Sequence, residues 1–144
     1  MGSNGDSMLL MADFRIPAGA WASLRETVTR EMTVAHFHDD MPEVYGTPMM
    51  IYLMELTASK AIAPYLPEGW ISVGAAVDVQ HLAATPVGFT VVTRAEVESW
   101  DGKLVTFRVE ASDGVELIGR GTHVRAPVER ARFDRGVLRK AERR

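Results

Sequence analysis

The chain has 144 residues, 47% of them hydrophobic and 24% charged, which suits a single domain with an ordinary core. Its net charge of −3 argues against wholesale nucleic-acid binding, and no apolar run in the sequence is long enough to cross a bilayer. Without cysteine it has no disulfide, no thiolate nucleophile and no cysteine-based zinc site, which fits a cytoplasmic protein. The charge is uneven, however: from Arg125 to Arg144 there are eight Arg or Lys against three Asp or Glu. Such a tail is either a solvated helix face or a docking surface for a phosphorylated ligand, whose geometry Arg forks match.

Residues 1–8 read as a tag remnant or disordered tail, and a single domain is expected over 9–144. The apolar Met8-Leu9-Leu10-Met11 is too short for a secretory signal and follows no basic region. Thr27, Val28, Thr29, Thr33 and Val34 predict a first strand between Arg25 and Phe37. The polar run from His36 to Pro42 is then a candidate lid. His36 and His38 could share one side of a strand, but no third ligand follows at fixed spacing, so no metal is expected.

The stretch from Thr47 to Ala63 reads as one helix, apolar on nearly every face and therefore expected to be the buried centre of the fold. Thr47 is the expected N-cap and Pro48 the first helical residue, where a missing N–H costs nothing. Glu55 sits in the middle of this helix. An ionised carboxylate is costly to bury without a partner, so Glu55 either reaches solvent or serves a site. Pro64, Pro67 and Gly69 end the helix.

From Ile71 to His81 the odd positions are mostly apolar and the even ones mostly small or polar, a period-two strand with one buried face. His81 is the last residue on that inward face. It is either a satisfied core histidine or a proton carrier. Two strands follow, Phe89–Trp100 and Leu104–Ala111, with Asp101-Gly102 as the hairpin signal between them. Matching their inward faces pairs Val97 with Phe107 and Ser99 with Val105, which implies a three-residue loop. Asp113-Gly114 repeats the device and leads into a last strand, Val115–Val128. Gly119 and Gly121 there would allow a close backbone approach, in the simplest arrangement to the helix. Residues 130–144 read as a short basic helix or a frayed tail. The order of elements predicts an α+β layer architecture, an antiparallel sheet wrapped around one apolar helix, which at this size is the hotdog fold.

No nucleophile elbow, phosphate-binding loop or dinucleotide fingerprint is present. Thr47, Glu55 and His81 remain. A carboxylate and an imidazole beside one helix supply a base or nucleophile and a proton carrier, and the helix N-terminus favours developing negative charge. That combination suits acyl transfer.

Several blocks in the same order resemble the fluoroacetyl-CoA thioesterase family of hotdog proteins. They are Pro42-Glu43-Val44, Leu53-Met54-Glu55, Ala63-Pro64-Tyr65-Leu66, the run from His81 to Gly88, and the run from Ile118 to Arg125. The likeness runs from about Met41 to Phe133. It implies a homodimer with sites at the subunit interface, hydrolysing acyl-CoA thioesters without a metal. No cofactor is expected, coenzyme A being part of the substrate, and neither nucleic acid nor membrane is an expected partner. It also implies that Thr47, Glu55 and His81 carry the reaction, with Gly74 and Arg125 near the site. Where the family has aromatic residues in the lid, this chain has His38 and Met41, a flexible side chain in place of a rigid ring. Met41 is therefore expected to contact substrate. Tyr45 and Tyr52 either line an acyl pocket of different shape or simply pack the core, while Arg125 with the basic tail is expected to hold CoA phosphates. The alternative is a non-catalytic acyl-CoA or small-ligand binding protein on the same scaffold. A hydratase-like relative, adding water to an enoyl-CoA, is a third reading.

Overall fold

The computed structural model describes residues 13–144; the expected tail at 1–8 and the apolar run after it lie outside the described residues. In chain order come β1 (Trp21–Thr27), a one-turn helix α1 (Val34–Phe37), the long α2 (Thr47–Ile62), β2 (Trp70–His81), β3 (Thr90–Trp100), β4 (Val105–Ser112), β5 (Leu117–Glu129) and α3 (Arg130–Ala141). The strands form one antiparallel sheet in the order β1-β3-β4-β5-β2, with α2 lying across it. This is the expected α+β hotdog layout.

Alternation builds the sheet's inner face. Val91, Thr93, Ala95 and Val97 of β3 are buried, as are Val105, Phe107, Val109 and Ala111 of β4, while their neighbours are less covered. Met50, Leu53, Met54, Ala58, Ala61 and Ile62 of α2 close the core from above. Thr57 is buried with them because its hydroxyl donates to the Leu53 carbonyl at 2.6 Å. The two Asp-Gly turns are held by their aspartates: Asp101 accepts from the Lys103 and Leu104 amides, and Asp113 from those of Val115 and Glu116. Asp113 also accepts from the buried Thr85 hydroxyl at 2.9 Å, fastening the loop after β2 to the β4–β5 turn.

Four expectations are corrected. The first strand ends at Thr27, and residues 30–37 coil into a 3-10 turn and α1. Thr33 is the reason: its hydroxyl donates back to the Arg30 carbonyl at 2.6 Å, and its backbone bridges to Tyr45. Helix α2 is not covered all round; Tyr52 and Leu56 are exposed at 55% and 43% along one stripe. The β3–β4 register carries a bulge between Val97 and Ser99, so Val97 pairs with Phe107 as expected but Ser99 pairs with Thr106 rather than Val105.

The fourth correction shapes the site. A bulge between Gly74 and Ala76 of β2 leaves Ala75 unpaired. Partners in an antiparallel ladder share a face, so Val77, Val79 and His81 lie with His123, Gly121 and Gly119, whereas Gly74 and Ser72 lie with Arg125 and Pro127. The inward set therefore switches from odd to even positions at Ala75. Gly74 and Ser72, expected to face outward, face α2 instead.

Close approach explains the glycines of β5. A side chain at Gly119 would meet the Met50 thioether of α2, as expected, but one at Gly121 would meet the Asp78 carbonyl and Val79 of β2 instead. Backbone cannot yield as a methionine tip can. Gly121→Ala should cost about 1–3 kcal/mol in urea-unfolding experiments, and Gly119→Ala distinctly less.

Candidate active site

Two clusters lie along α2. The first is at its N-terminus. Gly46, not Thr47, occupies the cap position, and Pro48 falls at the second helical residue. No side-chain cap is made, because glycine has no side chain to supply one, and the Thr47 hydroxyl meets His81 Nδ1 at 2.7 Å. His81 sits half-buried at the end of β2, and its Nε2 has no hydrogen-bond partner among the described residues. Burial pulls its pKa below the ordinary imidazole value, with the Ala83 carbonyl opposing, so the ring is neutral at pH 7. Beneath it lies Tyr45, fully buried, its ring edge-on to the imidazole at 6.4 Å. The Tyr45 hydroxyl also lacks a partner among the described residues, and burial raises its pKa far above the phenol norm.

The second cluster surrounds Glu55. Eight residues of helix separate it from Thr47, about 12 Å along the axis. Its carboxylate lies directly over Gly74, whose missing side chain leaves it room. The side chain is 36% exposed, so Glu55 is neither as buried as the helix's apolar character implied nor simply solvated. Arg125 of β5 reaches under it, with Nη1 3.9 Å from the carboxylate. The guanidinium is buried and committed: Nε donates to the Ser72 hydroxyl and Nη2 to the Ser72 carbonyl, both at 2.8 Å. This corrects the expectation that Arg125 helps hold CoA phosphates, because its donors point into the fold.

His123 completes the cluster and was not foreseen as a site residue. It is 1% exposed and stacks on Phe107. Its Nδ1 lies 2.8 Å from the Ala76 carbonyl, which can only accept, and its Nε2 lies 3.2 Å from Arg125 Nη1, which can only donate. These two partners fix the neutral tautomer with the proton on Nδ1. Burial pulls the His123 pKa down, the Ala76 carbonyl raises it, and Arg125 lowers it further. The signal was in the sequence: the inward positions of β5 read Gly119, Gly121, His123, Arg125, with two polar residues at the end of an otherwise closely packed strand face.

Thr47 and His81 thus meet directly, and Gly74 and Arg125 meet Glu55, but the two groups occupy different turns of α2 within one chain. Met41 is exposed at 45% on the segment leading into the helix, and Tyr45 is buried under His81. Together the arrangement offers a hydroxyl–imidazole pair at a helix N-terminus and a carboxylate steadied by a buried guanidinium. No cluster of three or more His, Asp or Glu that could hold a metal occurs among the described residues.

Residues 28–131 match the model of the family described as fluoroacetyl-CoA-specific thioesterase (FlK). The fluoroacetyl-CoA thioesterase of Streptantibioticus cattleyicolor is 43% identical over 114 residues, covering 75% of this chain and 82% of that protein. A solved structure of FlK superposes with a TM-score of 0.83 at 39% identity, over 88% of this chain and 98% of that one. A thioesterase superfamily member from Thermus thermophilus superposes with a TM-score of 0.84 at 35% identity, over 90% and 96%. With a family model spanning most of its length and a relative at 43% identity, the chain belongs to the fluoroacetyl-CoA-specific thioesterase family.

Proposed function

We propose that the protein is an acyl-CoA thioesterase acting on a small acyl group in the cytoplasm, and that Thr47, Glu55 and His81 carry the reaction. The observation that carries this reading is the 2.7 Å contact between Thr47 and His81, which puts a neutral imidazole beside a helix N-terminus that Gly46 leaves without a side-chain cap. Glu55 acts on the thioester carbonyl as nucleophile or general base. His81 and Thr47 manage the proton that reaches the departing thiolate, and the free N–H groups of the first turn favour the oxyanion. Arg125, itself held by Ser72 and His123, fixes the carboxylate's position over Gly74. Tyr45 backs His81 from the core rather than lining an acyl pocket, and Met41 in the lid offers the site a pliable wall.

The catalytic groups come from two subunits of a homodimer. Among the described residues, strand β2 is an open edge of the sheet, and residues 74–78 along it are exposed. Unpaired edges of this length are normally covered, and the exposed Tyr52, Leu56 and Val77 add apolar surface nearby. Pairing this segment with its own copy about a two-fold axis runs the two strands antiparallel. The His81 end of one strand then lies by the Gly74 end of the other, bringing Thr47 and His81 of one protomer towards the partner's Glu55.

Three outcomes are expected. Glu55→Gln should lower kcat for short acyl-CoA hydrolysis by roughly 10²–10⁴-fold in a free-thiol release assay, and parental turnover would remove the carboxylate from the mechanism. Glu55→Gln and His81→Ala proteins, each inactive alone, should regain roughly a quarter of parental activity when unfolded and refolded together, since half the dimers are mixed and hold one intact site. A site built within one chain would show no recovery. The pH profile should stay level below neutrality until it falls through the depressed His81 value, under the ordinary 6.5, because the neutral ring is the working form.

A further inference from the structure

The loop from Leu82 to Gly88 ties together the two halves of the Thr47–His81 pair. His81, the last residue of β2, leads into it. Within it, the Thr85 carbonyl accepts the Tyr45 amide at 2.8 Å, two residues before Thr47, and Val44 bridges to Pro86 alongside. The 2.7 Å contact between Thr47 and His81 therefore has a backbone path behind it that runs through Thr85. Among the described residues of this loop, Thr85 alone is buried, at 0% exposure. A hydroxyl so placed needs a partner, and Thr85 finds it in Asp113 Oδ2 at 2.9 Å, on the β4–β5 turn.

The chain carries its own comparison for Asp113. Asp101 opens the other Asp-Gly turn, accepts the amides two and three residues on, and stands exposed. Asp113 holds the amides two and three residues on with Oδ1 alone, yet is only 6% exposed. Making the turn accounts for Oδ1 and does not require burial. Burying a carboxylate is costly, and what Asp113 gains by it is the charge-assisted bond that Oδ2 makes to the loop after β2. We infer that Thr85 and Asp113 are positioning residues for the Thr47–His81 pair, a reading that rests on the thioesterase function proposed above. Asp113 holds Thr85, and Thr85 fixes the end of β2 against the start of α2. Their side chains are spent on each other, so they act through the alignment of the hydroxyl and the imidazole. Misalignment of such a pair by part of an ångström slows turnover and leaves substrate binding largely intact.

Thr85→Val keeps the β-branched shape and removes the hydroxyl, whereas Thr85→Ser keeps the hydroxyl. In short acyl-CoA hydrolysis, Thr85→Val should lower kcat roughly 10–100-fold with KM changed by no more than about twofold. Thr85→Ser should recover most of that loss. Asp113→Asn, which keeps an acceptor for the turn amides but loses the charge, should show a smaller loss of the same kind. A double-mutant cycle separates alignment from general loosening. In a Thr47→Val background, Thr85→Val should have almost no further effect, because the pair it aligns is already gone. The second readout is the titration of the His81 ring by NMR. Thr85→Val should move its midpoint in the same direction as Thr47→Val does, and Thr85→Ser should leave it parental. Equal kcat losses in both backgrounds, or a lowered melting temperature with kcat and the His81 titration unmoved, would overturn the assignment. The titration needs no substrate, so it still reads the tether if no acyl-CoA is hydrolysed. Conversely, efficient hydrolysis indifferent to Thr85→Val rejects the tether and leaves the thioesterase reading standing.

Discussion

One unpaired residue, Ala75, determines how the site is built. Without the bulge, Ser72 and Gly74 would point away from α2, and Arg125 would lose the hydroxyl and carbonyl that hold two edges of its guanidinium. A buried cation without such partners is strongly unfavourable, whereas here its donors meet Ser72, His123 and the Glu55 backbone and carboxylate. The ladder irregularity thus lets a charged residue enter the sheet's inner face opposite a charged residue of the helix. The pair is loose at 3.9 Å, and one partner is largely buried while the other is not. Its value is therefore geometric more than energetic: it limits where the carboxylate can go.

The helix adds the second constraint. A residue at its first position could have spent its hydroxyl on the backbone, as N-terminal threonines usually do. Gly46 takes the cap position instead, and Thr47 is released to His81. The first-turn amides stay available, and the imidazole beside them gains an orienting partner. Tyr45, buried immediately below, links this cluster to the core, so the position of His81 depends on packing as well as hydrogen bonding.

Much of this was legible in the residues. Period-two alternation located β2 to β5, the two Asp-Gly pairs located their turns, and the Pro48 and Pro64 positions framed α2 closely. The inward placement of His81 followed from parity alone and held, because the bulge lies six residues upstream of it. What parity could not reveal was the bulge itself: Gly74-Ala75-Ala76 carries no side chain large enough to declare a face. The turn at Thr33 was hidden for a related reason, since β-branched residues that favour strands also form local hydrogen bonds that end them. The exposed stripe of α2 and the buried Arg125 were equally beyond a linear reading. Both depend on which elements cover a surface, and the resemblance that located Arg125 near the site said nothing about what its guanidinium would touch.

Strand β2 also joins two properties that most folds keep apart. Its face forms the wall against which Glu55 rests, while its rim, from Gly74 to Asp78, is the open border of the sheet. A substitution that stiffens or re-registers this segment alters pocket shape and border in one step. Sequence drift here is therefore doubly constrained, and attempts to reshape the pocket without disturbing assembly have more freedom on α2 and the lid than on this strand.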